Sequence, residues 1–133
     1  MAVGIGSVDC WTIEAIGIAR ATRVAMVQAV KQLSPPADAL LIDYFTLPEV
    51  KLHQKGVADG DTLCFSIACA SIVAKVTRDR MMAEFDATYP GYLFAEHKGY
   101  GTERHIASLR RLGPCPIHRM TYGPVRDAVR TEP

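Results

Sequence analysis

Two aspartates carry the strongest chemical suggestion in this sequence. Asp43 closes the apolar run Ala39-Leu40-Leu41-Ile42, and Asp61 follows Gly60 at the head of a long uncharged stretch. A carboxylate at the end of a buried strand is partly desolvated, and two converging on one place repel unless a cation lies between them. Hard oxygen donors of this kind suit Mg²⁺ or Mn²⁺ better than zinc. Spacing alone leaves plainer roles open: Asp61 can cap its helix, and Asp43 can begin a turn.

A second constellation is His97-Lys98-Gly99-Tyr100-Gly101-Thr102. A lysine can neutralise phosphate while a tyrosine stacks on a sugar or base, and the glycines let backbone approach a ligand closely, just before a helix N-terminus. A plain turn with a snorkelling lysine is the alternative. The third is Pro116-Ile117-His118-Arg119, followed by Tyr122-Gly123-Pro124-Val125. His118 has the chemistry of a ligand or a base, but such a residue is more often a hydrogen-bonded packing element.

The elements that must position these residues follow from patterning. Val3–Ser7 reads as a strand end, with Ser7 and Asp9 as helix-cap types. Trp11–Ile16 predicts one or two helical turns broken near Gly17, and Ile18–Leu33 a helix stopped by Ser34-Pro35-Pro36. Ala39–Asp43 predicts a strand covered on both faces, and Val50–Val57 a second one. Gly60-Asp61-Thr62 reads as a turn and a helix start. No charged residue occurs from Thr62 to Ala74, which predicts a helix buried nearly all round that emerges from the core over Lys75–Asp86 and ends at Tyr89-Pro90-Gly91. Thr102 is a plausible cap for a further helix whose Ile106, Leu109 and Leu112 face inward and which Gly113-Pro114 closes. Residues 114–124 are irregular, and Val125–Arg130 makes a short helix. Strands alternating with helices predict an α/β domain, although two or three strands are few for a stable sheet.

Composition narrows the class. The chain has 133 residues, 49% hydrophobic and 22% charged, which fits one globular domain spanning 1–133. No apolar run is long enough to span a bilayer and Met1-Ala2-Val3-Gly4 has no basic leader, so a cytoplasmic protein is expected. Cys10, Cys64, Cys69 and Cys115 form no Cys-x-x-Cys pair and are expected to be reduced thiols. Net charge is only +1, but residues 91–130 hold seven Lys or Arg against three Asp or Glu. A basic C-terminal third suits a polyanionic partner.

At this point the motifs together resemble a known family. Leu40-Leu41-Ile42-Asp43, Gly60-Asp61, the run from Ser66 to Arg80, Tyr89-Pro90-Gly91-Tyr92, the His97–Thr102 loop and Pro116-Ile117-His118-Arg119 resemble bacterial ribonuclease HII in order and spacing. The resemblance implies a ribonuclease H-like fold, a mixed central sheet flanked by helices. It implies a four-carboxylate centre for two Mn²⁺ or Mg²⁺ ions, in which Asp43 and Asp61 match the third and fourth acids. It further implies endonucleolytic hydrolysis of RNA in RNA–DNA hybrids and of ribonucleotides embedded in duplex DNA, leaving 5′-phosphate and 3′-hydroxyl ends, by an enzyme that is a monomer when complete. Tyr100 matches a tyrosine that packs on the sugar at the RNA–DNA junction, and Lys98, Thr102 and Arg119 are expected to face the nucleic acid with it. Asp79 matches a helical position with no metal role and is expected to be an ion-pair or surface residue.

The departures are as informative. The family's Asp-Glu strand with its Gly-Arg-Gly turn, and its Asp-Ser-Lys stretch, have no counterpart here. Asp59 stands where relatives often carry a basic residue. The expectation is therefore the C-terminal two-thirds of the catalytic domain, an incomplete fold whose sheet lacks its first strands, with half of the metal ligands. Such a chain is expected to be inactive alone. The alternative is a non-catalytic nucleic-acid-binding remnant of that enzyme.

Overall fold

The computed structural model describes residues 2–130, with side chains to residue 129. The described chain is mixed α/β. It runs α1 (Cys10–Ile16), α2 (Ile18–Lys31), β1 (Ala39–Asp43), β2 (His53–Val57), α3 (Gly60–Leu63), α4 (Phe65–Thr88), α5 (Phe94–His97), α6 (Glu103–Leu112) and α7 (Gly123–Arg130). It divides into two compact units, residues 1–74 and 75–133, so the division falls within α4. No helix among the described residues is long and apolar enough to cross a membrane.

In the first unit Asp9 caps α1, its carboxylate accepting the Thr12 N–H at 2.7 Å, which holds the Asp9 carboxyl below the usual range. The expected strand at Val3–Ser7 does not form. Burial alternates residue by residue there, as in an extended chain, but the segment's partner is α2. The Ile5 and Ser7 amides donate to Gln32 Oε1 at 3.3 Å and Gln28 Oε1 at 3.2 Å. Gly4 and Gly6 lie directly on the helix backbone, where added Cβ atoms would stand 2.0 Å from Ala29 O and 1.7 Å from Ala25 O.

β1 and β2 pair in parallel, Ala39 opposite His53 through Asp43 opposite Val57, and form a two-stranded sheet. The side chain of Gln54 makes the connection 44–52 possible. Its Oε1 accepts the Leu47 N–H at 2.8 Å, and its Nε2 donates to Leu47 O at 2.9 Å and Val50 O at 2.5 Å. These bonds satisfy loop backbone groups around Leu47, which is fully buried. The second strand starts three residues later than Val50, because Val50 belongs to this loop.

Two burial expectations are corrected. β1 is not covered on both faces: Ile42 is buried but Leu41 is 51% exposed. The paired strand β2 lies along one edge of β1 and covers neither face, whereas full burial of a parallel strand needs layers on both. Nor is the 62–74 stretch buried all round. The chain breaks at Cys64, which is extended, and only Ile67 is buried, with Phe65 87% exposed. The lack of charge made a solvent-facing side invisible: the open positions carry apolar residues such as Leu63, Phe65 and Ile72.

The second unit packs around Tyr92, Phe94, Leu109, Val125 and Ala128, with Met82, Phe85, Tyr89, Cys115 and Ile117 against them. Tyr92 and Phe94 rings stack at 5.2 Å, and the Tyr92 hydroxyl donates to Gly113 O at 2.6 Å. Thr102 caps α6 as expected, accepting the His105 N–H at 3.3 Å. Of the three residues expected to face inward, Leu109 is buried, Ile106 is half-buried and Leu112 is exposed. The buried face of α6 is instead His105, Ser108 and Leu109. It is set by the aromatic side chains it meets. The short helix α5 lacked any periodic signal and escaped the sequence reading.

Candidate functional site

Asp43 ends β1 and is half-buried. Its Oδ1 accepts the Gly60 N–H at 2.8 Å, so the start of α3 lies beside this carboxylate. Gly60 is buried and closely packed: a Cβ would stand 2.7 Å from Ile67 Cδ1, which would have to shift, and 3.3 Å from Asp43 Oδ1. Asp59, left-handed at φ 52°, turns the chain into α3. After Asp43, Tyr44 is also left-handed at φ 69°, a conformation costly for a bulky residue. Its N–H is held by Val57 O at 2.8 Å, and Phe45 N–H reaches Asp43 O at 2.9 Å. The turn that aims Asp43 is therefore strained and pinned from both sides.

The chemistry of this pair is that of hard oxygen donors. Asp43 Oδ1 is engaged by the Gly60 amide, and Asp61 is exposed. No group of three or more His, Cys, Asp or Glu suited to a metal comes together among the described residues. Asp79, in α4, is paired with Lys75 at 3.0 Å.

In the second unit the 97–102 loop presents Tyr100 outward, 58% exposed. Lys98 and Gly99 are both left-handed, at φ 52° and 78°. Lys98 Nζ donates to Ala95 O, so its ammonium is turned back on α5. Thr102 serves as the cap described above. Arg119 lies on a different turn, its guanidinium 5.2 Å from the Tyr122 ring centre. The loop thus gathers Lys98, Tyr100 and Thr102 but not Arg119.

Arg78 of α4 was missed by sequence reasoning. Its guanidinium sits 5.2 Å from the Tyr100 ring centre, a cation–π distance, and no local pattern connects residues so far apart in the chain. His105 was missed too, although three of the four histidines fall between 97 and 118. His97, His105 and His118 are all buried. His97 and His105 stack at 4.2 Å, and the Nε2 atoms of His105 and His118 are 3.1 Å apart.

Burial is the main cause that holds both His105 and His118 below the ordinary histidine range, with neighbouring imidazoles adding to it. The unfolded chain then takes up protons near pH 6.5 that the folded chain does not. Stability is therefore complete above about pH 6.5 and is lost as the pH falls through the lowered folded values. Thermal melts of the chain at stepwise lower pH are expected to show the midpoint falling in that direction; a flat profile below pH 6.5 would contradict the neutral buried pair.

The ribonuclease HII family profile matches residues 5–125. The chain belongs to the ribonuclease HII family. It is 56% identical over 124 residues to a ribonuclease HII of Dehalococcoides mccartyi, covering 93% of this chain and 59% of that one. It is 54% identical over 129 residues to that of Geobacter metallireducens, covering 97% and 61%. With the Bacillus pumilus ribonuclease HII it shares 48% over 127 residues, covering 96% and 50%. The chain thus spans about half to three-fifths of the length of these ribonuclease HII relatives.

Proposed function

We propose that this chain carries part of a metal-dependent endoribonuclease site that acts on RNA–DNA hybrids and on ribonucleotides embedded in duplex DNA. The chain would form part of a catalytic domain with an incomplete ribonuclease H-like fold. The observation that carries the reading is the Asp43 carboxylate on the Gly60 amide, directly before Asp61. Asp43 and Asp61 would hold Mn²⁺ or Mg²⁺, with water completing the shell. Bound there, the ion supplies an activated water and stabilises charge on the leaving 3′-oxygen.

This chain's own residues orient the reactants. The Gly60 amide fixes one Asp43 oxygen. Tyr100 offers an exposed ring to a sugar or base, and the Arg78 guanidinium beside it supplies positive charge toward phosphate. Discrimination of RNA from DNA rests on the 2′-hydroxyl.

The test is a nuclease assay on duplex DNA with one embedded ribonucleotide, with Mn²⁺ or Mg²⁺ added. Little or no cleavage is expected from these 133 residues, because two carboxylates hold ions poorly against water. Robust cleavage that disappears in Asp43→Asn would overturn that view of the donor set while supporting the site. Binding is expected to persist and to weaken with salt. Tyr100→Ala is expected to weaken it by about 1–2 kcal/mol, roughly 5- to 30-fold, as loss of one stacked group. Fluorescence anisotropy of a labelled duplex measures this. The second reading, a non-catalytic nucleic-acid-binding remnant, is favoured by the absence of a third ligand among the described residues. It predicts salt-dependent binding that is indifferent to added Mn²⁺.

A further inference from the structure

We propose that His105 is a positioning residue: with His118 behind it and His97 beside it, it fixes the backbone of the 97–102 loop so that the Tyr100 ring is held in one outward orientation. This rests on the reading of Tyr100 as a nucleic-acid contact.

The tautomers follow from groups that have no choice. The Cys115 backbone N–H, 3.0 Å from His118 Nδ1, can only donate. Cys115 O lies farther from that nitrogen, at 3.3 Å, so His118 Nδ1 accepts the shorter amide bond and its proton sits on Nε2. That nitrogen faces His105 Nε2 at 3.1 Å, which must accept. The His105 proton is then on Nδ1, 2.9 Å from Tyr100 O, a group that can only accept. The chain of bonds closes without conflict from the Cys115 amide to the Tyr100 carbonyl. His97 is fixed in the same way. Its Nε2 donates to Tyr92 O at 2.7 Å, and its Nδ1 accepts the Gly99 N–H at 3.1 Å.

All three imidazoles are neutral and every ring nitrogen is used. Proton uptake by His105 or His118 would set one N–H against another. Phe94 meets all three rings at 5.6–5.8 Å and excludes water from them. The charged and titratable groups nearby are Tyr92 and Cys115 on the buried side and Arg78 on the open side.

A role in volume alone would not need this arrangement, since buried polar atoms cost free energy unless each is paired. What the bonds hold is the costly part of the loop. Lys98 is left-handed without being glycine, a strain that persists only where the surroundings over-determine it. The next two residues are clamped by His97 at the Gly99 amide and by His105 at the Tyr100 carbonyl. The Tyr100 ring itself stays open, with Arg78 over it.

The test is a double-mutant cycle on the full chain, read by anisotropy on a ribonucleotide-bearing duplex. His105→Phe keeps ring volume and removes the donor, and is expected to weaken binding by about three- to tenfold. His105→Asn keeps an N–H where Nδ1 stood and is expected to recover to within about twofold of the parent chain. Combined with Tyr100→Ala, His105→Phe should cost nothing further, because it acts through that ring. Loss on Tyr100→Ala with none on His105→Phe, or losses that multiply, overturns the positioning role alone. No loss on Tyr100→Ala overturns the Tyr100 reading and this role with it.

Should His105→Phe fail to fold, ¹⁵N imidazole spectra of the unmodified chain at neutral pH decide the matter. Protons on His105 Nδ1 and on Nε2 of His97 and His118 support the inference. A proton on His105 Nε2 overturns it.

Discussion

Asp43→Asn is expected to weaken Mn²⁺ binding by the chain at least about tenfold while leaving its melting temperature almost unchanged. The asparagine keeps a carbonyl oxygen where Asp43 Oδ1 accepts the Gly60 N–H at 2.8 Å, but it has no charge to offer a cation. Asp43→Ala loses both, and the stranded Gly60 amide should then cost about 1–3 kcal/mol of stability. Asp61→Asn should cost affinity without stability, because Asp61 is exposed. Loss of either carboxylate is expected to lower Mn²⁺ affinity at least about tenfold, about 1.4 kcal/mol, and loss of both to abolish it. Asp79→Asn is the control, since that residue is engaged by Lys75. Calorimetric titration with Mn²⁺ alone checks the series. Unchanged affinity in Asp43→Asn would refute the metal-site reading. In turnover the ion's contribution is larger: several kcal/mol of charge stabilisation corresponds to at least ~10³-fold in rate.

Gly6→Ala should damage the first unit more than any change at its surface. A Cβ there would lie 1.7 Å from Ala25 O and 2.6 Å from Ala25 C, both backbone atoms of α2. A flexible side chain can step aside from such a contact, whereas a helix carbonyl cannot without breaking its own ladder. The segment 2–8 must lift off α2, taking the Ser7–Gln28 and Ile5–Gln32 bonds with it. The expected loss is about 3 kcal/mol, at the upper end for overpacking. Thermal melts give the size, and hydrogen exchange at the Ile5 and Ser7 amides gives the location. Retained protection at those amides with an unchanged melt would show that the close packing is not as described. Gly17→Ala is a useful contrast, since nothing lies within 4 Å of its position and only its φ of 79° is strained.

Helix and strand positions were largely legible because their signals are local. The proline pair after α2, the apolar pentapeptide ending in Asp43, and the capping threonine at 102 each act through neighbours in sequence. The ordered motifs from Leu40 to Arg119 were legible for the same reason, and they named the family before any coordinates. Burial was less so. A run without charge, such as Thr62–Ala74, shows that no polar face exists, but not that anything packs against each face, and Phe65 lies open.

What needed the fold was every relation between distant residues. The Asp43 contact to Gly60 joins a strand end to a helix start, and Arg78 meets Tyr100 across a gap that no spacing rule covers. The glycines at 4 and 6 looked like part of a strand until α2 was found beneath them. The direction of hydrogen bonds through His118 and His105 to Tyr100 depends on an amide and a carbonyl fifteen residues apart in the chain. Residue type carries propensity and chemical capacity along the chain. Which partner uses that capacity is decided by packing, because donors, acceptors and charges act only over a few ångströms.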